Sequence, residues 1–502
     1  MNAKRILSLI LAVIMLCSMF LVSCAKDEGG KGGQAGSVVE GEAQNENEVY
    51  DAEIKNLNGH EARFIVRHNN ASHLSVNEVY AEAPNGDKVN DAVFARNSQL
   101  ADKYNFTIVE QRYEDVAKST REPLIAGEYI ADIILGVARD VRSLASANLL
   151  ADLSVLDNIN LEKVWYDQNS MTGLNIGGKV FFVNGDGATL DDRAAWIMFF
   201  NKDWVEEYDV SMNLYDVVRK GEWTIDLMVE IMNATAKDLD GDGAINPGTD
   251  RMGYTGESAN NWFHVSGCGV TLSRTSSTGD YEIPAQPKQE LLDAWEACRP
   301  LITSPYREVS DMSARLRNGF STFYACNLGT ILYSGQTTQS LGVLPFPKMN
   351  KEQDKYYIAP SFSQMATFCI PTTVDNCEDW ETNGFTSGRE QAAYILDAFS
   401  YYSKLTLTPA FYDQVILKQS IRDAESAEMV EIALENKLYD PVVGYNFGGM
   451  MGIFSECGSP VPKGSIGTDE KYDTFVSTYT GRYSAARKAL QEYLTYINTE
   501  AI

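Results

Sequence analysis

The chain has 502 residues, of which 42 are Lys or Arg and 69 are Asp or Glu, so its formal net charge is −27. Proteins grip nucleic acid with clustered basic side chains, and so acidic a surface repels a phosphate backbone, which excludes nucleic acid as a partner. The length suggests about two to four domains, or one large two-lobed unit.

The first 23 residues have the features of an export signal. Lys4 and Arg5 precede an apolar run over 6–22, and the run ends before Ser23 and Cys24. This ending resembles the bacterial lipobox, in which the cysteine is diacylated and becomes the first residue of the mature chain. We therefore expect Cys24 to carry lipid that anchors the protein at the extracytoplasmic face of the cell membrane. A plain signal peptide with a chance cysteine and an uncleaved transmembrane anchor are the alternatives.

A polar segment follows the predicted lipid anchor. Residues 24–58 are rich in Gly, Glu, Gln and Asn and show no apolar periodicity. This composition is typical of a flexible tether that holds a folded body away from the membrane.

The folded body begins with alternating strand and helix patterns. Residues 62–67, 106–109 and 133–137 favour strands, and Asn90 opens a helical pattern between the first two. The βαβαβ order predicts an open α/β sheet, whose ligands lie beyond the carboxyl ends of the strands.

Polar side chains follow two of these strand ends. His68, Asn69 and Asn70 come after the first strand, and Arg139 and Asp140 come after the third. These residues are predicted to form one wall of a ligand cleft.

Later elements are predicted from periodicity and capping patterns. They are strands at 179–184 and 196–201, a helix from Thr224, a capping box at Ser387 and Glu390 before a long helix, and a final helix over 483–497.

The residues from Asp238 to Asp250 resemble a calcium-binding EF-hand loop. Carboxylates at alternate positions, a glycine at the sharp turn, a backbone carbonyl and an amide oxygen match the first nine positions. The predicted ligands are Asp238, Asp240, Asp242, Ala244, Asn246 and Asp250. Position twelve is Thr249 where Glu is usual, so Asp250 is expected to close a slightly longer loop around a structural calcium ion. An unoccupied Asp/Gly turn is the alternative.

Cysteine and histidine give little further metal-binding material. Six cysteines follow Cys24, and outside the cytosol an even number of thiols allows several disulfide pairings, which the sequence leaves open. They are Cys268, Cys298, Cys326, Cys369, Cys377 and Cys457. None has C-x-x-C spacing, and the chain has only four histidines, so the sequence argues against a zinc site.

The sequence has no catalytic motif of the common hydrolase or nucleotide-binding types. It lacks G-x-S-x-G, H-E-x-x-H and G-x-x-x-x-G-K-[ST]. We therefore expect a protein that is not an enzyme, although 69 acidic residues leave a glycosidase-type carboxylate pair open.

Five segments, in order, resemble family 1 extracellular solute-binding proteins of ABC importers. Met198–Tyr208 looks like the Y-N-K-D-L-F segment of that family, and Gly221–Asp226 looks like its W-T/D-W-D-E-F helix start. Asn318–Tyr324, Gly342–Lys348 and Ala366–Pro371 are similar to later landmarks.

The resemblance implies a type II periplasmic-binding-protein fold, in which two α/β lobes joined by a hinge clamp a ligand in the cleft between them. On this basis lobe one is expected to hold 60–185 and 370–435, and lobe two 188–368 and 437–502. The implied function is capture of a carbohydrate, an oligosaccharide, by a monomeric receptor that delivers it to the permease subunits. A surface glycan hydrolase and a receptor that presents ligand to a sensor kinase are the rival functions.

Ligand-contacting positions follow from the same resemblance. They are Asn69, Asn70, Arg139, Asp140, Asp192, Glu257, Asn261, Trp262, Asn327, Tyr445, Asn446 and Phe447. Sugars present apolar C–H faces and a rim of hydroxyls, so aromatic rings beside carboxylate and amide groups suit them. Trp262 is predicted to stack on the sugar, whereas Trp196, Trp204, Trp223 and Trp295 are expected in the core.

Overall fold

The structure is a computed structural model that describes residues 48–68, 75–257, 260–275, 281–310, 319–333, 339–412, 423–458, 465–466 and 474–499. Cys24, the predicted signal peptide and most of the tether lie outside this range, so their predicted roles stay predictions. Within the range, no helix is both long and apolar enough to cross a membrane.

The described strands form two main sheets and one separate two-stranded sheet. In chain order they are β1 (His60–Arg67), β2 (Phe106–Tyr113), β3 (Ile133–Val137), β4 (Trp196–Asn201), β5 (Met252–Gly256), β6 (Arg274–Thr275), β7 (Tyr281–Glu282), β8 (Arg307–Val309), β9 (Ser321–Asn327), β10 (Leu341–Leu344), β11 (Ala366–Cys369) and β12 (Ser465–Ile466).

The α-helices cover both sheets. In chain order they are α1 (Lys88–Tyr104), α2 (Val116–Ile125), α3 (Ala138–Ala145), α4 (Gln168–Leu174), α5 (Leu190–Arg193), α6 (Lys202–Tyr208), α7 (Leu214–Arg219), α8 (Ile225–Thr235), α9 (Asn260–Gly267), α10 (Gln289–Ile302), α11 (Leu328–Tyr333), α12 (Gly388–Phe411), α13 (Ala424–Glu435), α14 (Pro441–Gly444), α15 (Gly452–Gly458) and α16 (Phe475–Thr499).

The first sheet is the centre of lobe one and has the strand order β11-β3-β1-β2. β1 pairs in parallel with β2 and with β3, and β11 runs antiparallel to β3. The three strands predicted in the first part of the body are confirmed, and β3 is buried along its whole length. The carboxyl ends of β1, β2 and β3 therefore lie at one edge of the sheet.

The second sheet is the centre of lobe two and has the order β10-β4-β9-β5-β8-β12. β5 is parallel to β8 and β9, whereas β4 is antiparallel to β9 and β10. The carboxyl ends of β5, β8 and β9 again share one edge.

Two described segments, 186–195 and 358–365, connect the lobes. They lie side by side, because Ala195 pairs with Pro360 as an antiparallel bridge. Ile358 also pairs in parallel with Lys437 from a later segment of lobe two. This arrangement gives the two lobes a common hinge region.

Side-chain caps fix the start of the predicted helices. Thr224 caps α8 as expected. Ser387 Oγ accepts a hydrogen bond from the Glu390 N–H at 3.2 Å, but the Glu390 carboxylate does not return to the cap. It instead accepts from the backbone N–H groups of Asp157 and Asn158, both at 3.0 Å. The capping box is therefore half formed, because a distant loop uses the glutamate.

The structure differs from the predicted lobe boundaries at two elements. β11 belongs to the sheet of lobe one, although 366–368 was assigned to lobe two. α13 packs on β10 in lobe two, where Ser426 Oγ accepts from the Val343 N–H at 3.1 Å, although it was assigned to lobe one. α12 and α13 thus lie in different lobes, and residues 413–422 between them are outside the described residues.

Residues 179–184 do not form the predicted strand. Only Val183 pairs with the edge of the first sheet, by two backbone hydrogen bonds to Phe368. The chain then turns at Gly185, where a Cβ atom would lie 2.1 Å from the carbonyl oxygen of Trp165. This close approach ends the pairing after one residue.

The tryptophans expected in the core are mostly there. Trp196, Trp223 and Trp295 are buried. Trp204 is only half-buried, with the Arg251 guanidinium 4.9 Å from its ring centroid, because α6 lies at the surface.

Candidate functional site

The strand ends of both lobes meet at one connecting segment, 361–365. At the end of β1, Arg67 Nη1 donates to the Ser363 carbonyl oxygen at 3.3 Å. At the end of β9, Asn327 Nδ2 donates to Gln364 Oε1 at 3.1 Å. Ser363 is exposed and Gln364 half-buried, so polar groups face solvent here. We call residues 361–365 the cleft floor.

Asn327 has a structural role at the cleft floor. Its Oδ1 atom accepts hydrogen bonds from the Thr330 N–H at 2.8 Å and the Thr330 hydroxyl at 2.9 Å, and so caps α11. Because Nδ2 is bound to Gln364, both polar atoms of the Asn327 side chain make hydrogen bonds within the protein. Its predicted role as a ligand contact stays a prediction.

Other predicted residues lie at the same edges. Glu257 directly follows β5 and is exposed, and its carbonyl oxygen accepts from Arg307 Nη2 at 3.3 Å. Asp140 lies in the first turn of α3, directly after β3. Asn69, Asn70 and the side chain of Arg139 lie outside the described residues.

A cavity of about 570 Å³ lies between the lobes, and we call it the interlobe cavity. Lobe one contributes Arg121, Arg142, Ser143, Ser146 and Ala147, and lobe two contributes Tyr445, Asn446, Phe447, Gly448, Ala489, Glu492 and Tyr493. The lobes touch at its edge, where Arg142 Nη1 donates to the Gly444 carbonyl oxygen at 3.3 Å. The structure thus brings three predicted ligand residues, Tyr445 to Phe447, to one cavity.

Aromatic rings form one side of the interlobe cavity. Tyr445 and Phe447 stack with centroids 5.4 Å apart and an interplanar angle of 5°. Tyr493 packs against Tyr445 at 5.0 Å, and their hydroxyls are 3.2 Å apart. Burial raises the pKa of Tyr445 well above its ordinary value, so its hydroxyl stays protonated. Arginine, serine and glutamate side chains complete the lining, an arrangement suited to a ligand with an apolar face and a polar rim.

Arg142 and Ser143 were missed by the sequence reasoning. They lie on α3, three and four positions after Arg139, and neighbours at this spacing share one helix face. The helical spacing of Arg142 and Ser143 from Arg139 could therefore have identified them from the sequence. The polar floor residues Ser363 and Gln364 carried no such signal, because they lie in an irregular segment.

Asp192 lies in a different place, a hinge cavity of about 490 Å³. Its carboxylate binds Lys437 Nζ at 2.7 Å, and the same ammonium lies 2.7 Å from Asp167 and 3.3 Å from Asp191. Burial would lower the pKa of Lys437, but the carboxylates raise it well above its ordinary value. Burial raises the pKa of Asp191 to about 8, although Lys437 opposes the rise. Asp192 is therefore part of an ion-pair cluster at the hinge.

Asn261 and Trp262 lie in the core of lobe two. Both side chains have no exposed surface. Asn261 Nδ2 donates to the Phe454 carbonyl oxygen at 2.9 Å, and the Trp262 ring packs 5.1 Å from the Phe454 ring. The indole offers no open face to a sugar, so the structure does not support the predicted stacking role of Trp262. Residues 261–267 of α9 are all buried, so the helix lies inside the lobe although several of its residues are polar.

The predicted calcium loop folds with its carboxylates together. Carboxylate oxygens of Asp238, Asp240, Asp242 and Asp250 lie within 4.8 Å of one another. Asp250 is buried and accepts from the Leu239 N–H at 2.8 Å and the Asn246 N–H at 2.7 Å, and these bonds hold its pKa below the usual value. The Asn246 side chain and the Ala244 N–H both contact the Asp242 carboxylate. Converging carboxylates in a tight loop suit a hard divalent cation such as calcium.

Comparison with known proteins identifies the fold. No family model and no curated protein matches the sequence. Several solved structures do match the fold at 11 to 12% sequence identity. The sugar-binding protein MalE from the phytopathogen Xanthomonas citri matches 88% of this chain and 100% of its own, with a TM-score of 0.57.

Two further structures match over similar lengths. The galacto-N-biose-/lacto-N-biose I-binding protein of the ABC transporter from Bifidobacterium longum matches 86% of this chain and 98% of its own, with 12% identity and a TM-score of 0.53. A cyclo/maltodextrin-binding protein complexed with maltotetraose matches 88% and 98%, with 12% identity and a TM-score of 0.51. The chain therefore has the type II periplasmic-binding-protein fold predicted from the sequence.

Proposed function

We propose that the protein is an extracytoplasmic receptor that captures a carbohydrate between its lobes and delivers it to the permease of an ABC transporter. The observation that carries this proposal is the interlobe cavity, to which lobe two contributes aromatic side chains and lobe one contributes mainly polar side chains. A ligand held there contacts both lobes, as capture by hinge closure requires.

The cavity has the chemistry that sugar recognition uses. Tyr445, Phe447 and Tyr493 supply ring surface for the apolar face of a pyranose. Arg142 and Glu492 supply a donor and an acceptor for hydroxyls. The matched structures support this proposal, because their names describe binding of sugars, in one case lacto-N-biose for an ABC transporter and in another maltotetraose.

The proposed receptor is monomeric and held at the membrane by lipid on Cys24. The lipid anchor rests on the sequence of residues 1–24. A Cys24→Ser variant should leave the membrane fraction and appear in the medium or the periplasm. Persistence in the membrane fraction would favour the uncleaved anchor.

Calcium at the loop from Asp238 to Asp250 is proposed as a structural ion of lobe two. The support is the convergence of four carboxylates at the predicted positions. The loop contributes no residue to the interlobe cavity, so we propose that calcium stabilises the fold without contacting the sugar.

The experiment that tests the function is a thermal-shift screen of oligosaccharides followed by product analysis. A ligand at 100 times its dissociation constant adds about 2.7 kcal/mol to the free energy of unfolding. Stabilisation without turnover supports the receptor. Turnover that is lost when one cleft carboxylate becomes its amide would establish the glycan hydrolase instead. Uptake of the sugar that persists without this protein would favour the sensor-kinase receptor.

A further inference from the structure

Four residues of lobe one form a mixed cluster at the edge opposite the cleft floor. His60 is the first residue of β1, Asp132 directly precedes β3, and Cys377 and Asp379 follow a 3-10 helix at Thr372–Asn376. The amino ends of parallel strands β1 and β3 lie here, away from the strand ends of the ligand cleft. The cluster is therefore separate from the proposed sugar site.

The potential ligand atoms in this cluster are close together. His60 Nδ1 lies 2.6 Å from Asp379 Oδ2, and Cys377 Sγ lies 3.0 Å from Asp379 Oδ1. One ligand atom from each of the three residues lies within 4.8 Å of the other two. Imidazole, thiolate and carboxylate are the ligands that zinc takes in proteins, at about 2.0–2.3 Å from the metal.

Asp132 orients the imidazole from its other side. Its Oδ1 atom lies 3.2 Å from His60 Nε2. Its Oδ2 atom accepts from the Arg63 N–H at 2.7 Å and from the Tyr129 hydroxyl at 2.9 Å. A fixed carboxylate on the second ring nitrogen is the usual support of a metal-bound histidine, because it sets the tautomer and makes the ligand more basic.

Burial and access also suit a metal ion. His60 is 5% exposed and Cys377 is 8% exposed, so the metal would be shielded on their side. The Asp379 side chain is 39% exposed and gives an entry path and access for a water ligand.

We propose that His60 Nδ1, Cys377 Sγ and Asp379 bind a zinc ion, with Asp132 as the orienting carboxylate. The ion displaces the thiol proton and the proton between His60 Nδ1 and Asp379, both of which leave to solvent, and a water molecule is the fourth ligand. Asp379 moves slightly, because nitrogen and oxygen ligands on tetrahedral zinc lie about 3.3 Å apart. Zinc then joins the 377–379 loop to the amino ends of β1 and β3.

The test uses the purified full-length chain, reduced and freed of metal, in millimolar calcium so that the loop from Asp238 to Asp250 is filled. We expect one equivalent of zinc to bind. Cobalt(II) in its place should give a sulfur-to-cobalt charge-transfer band in the near ultraviolet. An ion pair between protonated His60 and its carboxylates, the alternative, gives no band.

Variants assign the site. Cys377→Ser should abolish the cobalt band, and the matched control Cys457→Ser should keep it. Asp132→Asn should weaken zinc binding about 10- to 100-fold without removing the band. If Cys377→Ser does not fold, Asp379→Asn, whose side chain is more exposed, should weaken zinc binding in its place. A wild-type chain without the band, or a band that persists in folded Cys377→Ser, overturns the proposal.

Discussion

At the residue scale, Tyr445 and Phe447 lie at the interlobe cavity, whereas Trp262 packs under Phe454 with no exposed surface. Truncation of a large buried aromatic side chain removes packing and leaves a cavity, which costs about 3–5 kcal/mol. Phe447 is also buried, at 7% exposure, but it lines the interlobe cavity, so its truncation should lower sugar affinity as well as stability. Measurements of stability and of sugar affinity should therefore distinguish the two kinds of aromatic residue.

We expect Trp262→Ala to lower the free energy of unfolding by about 3–5 kcal/mol and to leave the sugar affinity of the folded fraction unchanged. The matched variant Phe447→Ala should weaken sugar binding about tenfold or more, because aromatic contacts contribute on the order of 1 kcal/mol beyond buried area. Denaturant unfolding and calorimetric titration measure the two effects. A stable Trp262→Ala protein with weakened binding would restore the stacking role.

A buried carboxyl gives a second residue-scale prediction, on pH. Asp397 Oδ1 accepts from Trp165 Nε1 and the Tyr166 hydroxyl, both at 2.9 Å. Burial raises the pKa of Asp397 to about 6, above the ordinary value of 3.8. Between these values the folded chain keeps a proton that the unfolded chain has lost. The contribution of Asp397 to stability is therefore present below about pH 4 and is lost as pH rises to about 6.

Asp397→Asn keeps an oxygen acceptor and removes this titration. We expect the variant to be more stable than the wild type at pH 7.5, by up to about 3 kcal/mol, and close to it at pH 4. Urea unfolding at both pH values measures the difference. Asp102→Asn, at an exposed carboxylate, should show no such pH-dependent gain. An equal effect of Asp397→Asn at both pH values would contradict the argument.

At the element scale, the 238–250 loop should respond to calcium. Four carboxylates repel one another without a cation, so chelation should lower the melting temperature and calcium at 100 times its dissociation constant should restore about 2.7 kcal/mol. Asp240→Asn should reduce this response, whereas Asp102→Asn in lobe one should keep it. Differential scanning calorimetry measures the shift. A melting temperature that changes with neither chelator nor calcium would show that the loop is a simple turn without a bound ion.

The hinge cluster gives a second prediction for an element. Lys437 is buried among Asp167, Asp191 and Asp192. Removal of its charge leaves buried carboxylates without their counter-ion, so Lys437→Met should cost about 3–5 kcal/mol. The control Lys404→Met removes a more exposed ammonium 3.4 Å from Asp186 and should cost no more than about 1 kcal/mol. Equal losses in the two variants, measured by urea unfolding, would show that the cluster has no special role.

Local patterns account for the parts that the sequence predicts well. The buried apolar run of β3 and the helix cap at Thr224 depend on neighbouring residues, and the structure has both. Contacts between distant residues are different. His60 and Asp379 are 319 positions apart, so no spacing rule could indicate their cluster. Trp262 was misplaced for a related reason, because the residues that cover it come from α15, far along the chain.

At the scale of the whole molecule, the proposed function requires the interlobe cavity to couple ligand binding to hinge motion. A sugar that contacts both Arg142 of lobe one and Phe447 of lobe two binds better when the lobes are close. A ligand shifts a conformational equilibrium only by its differential affinity for the two states. Sugar binding should therefore shorten the average distance between the lobes.

The described cysteines are all buried, which permits selective labelling of introduced surface thiols. Val155 in lobe one is 70% exposed and Val210 in lobe two is 81% exposed, so Val155→Cys and Val210→Cys can carry a fluorophore pair. We expect a sugar found by the thermal-shift screen to change the efficiency of energy transfer between the two fluorophores. This change should saturate as the sugar concentration rises. Adding Phe447→Ala should move the midpoint to about tenfold higher sugar concentration and keep the end point, because the ring contributes affinity while the hinge is intact. A sugar that binds by calorimetry without any change in transfer efficiency would rule out capture by closure.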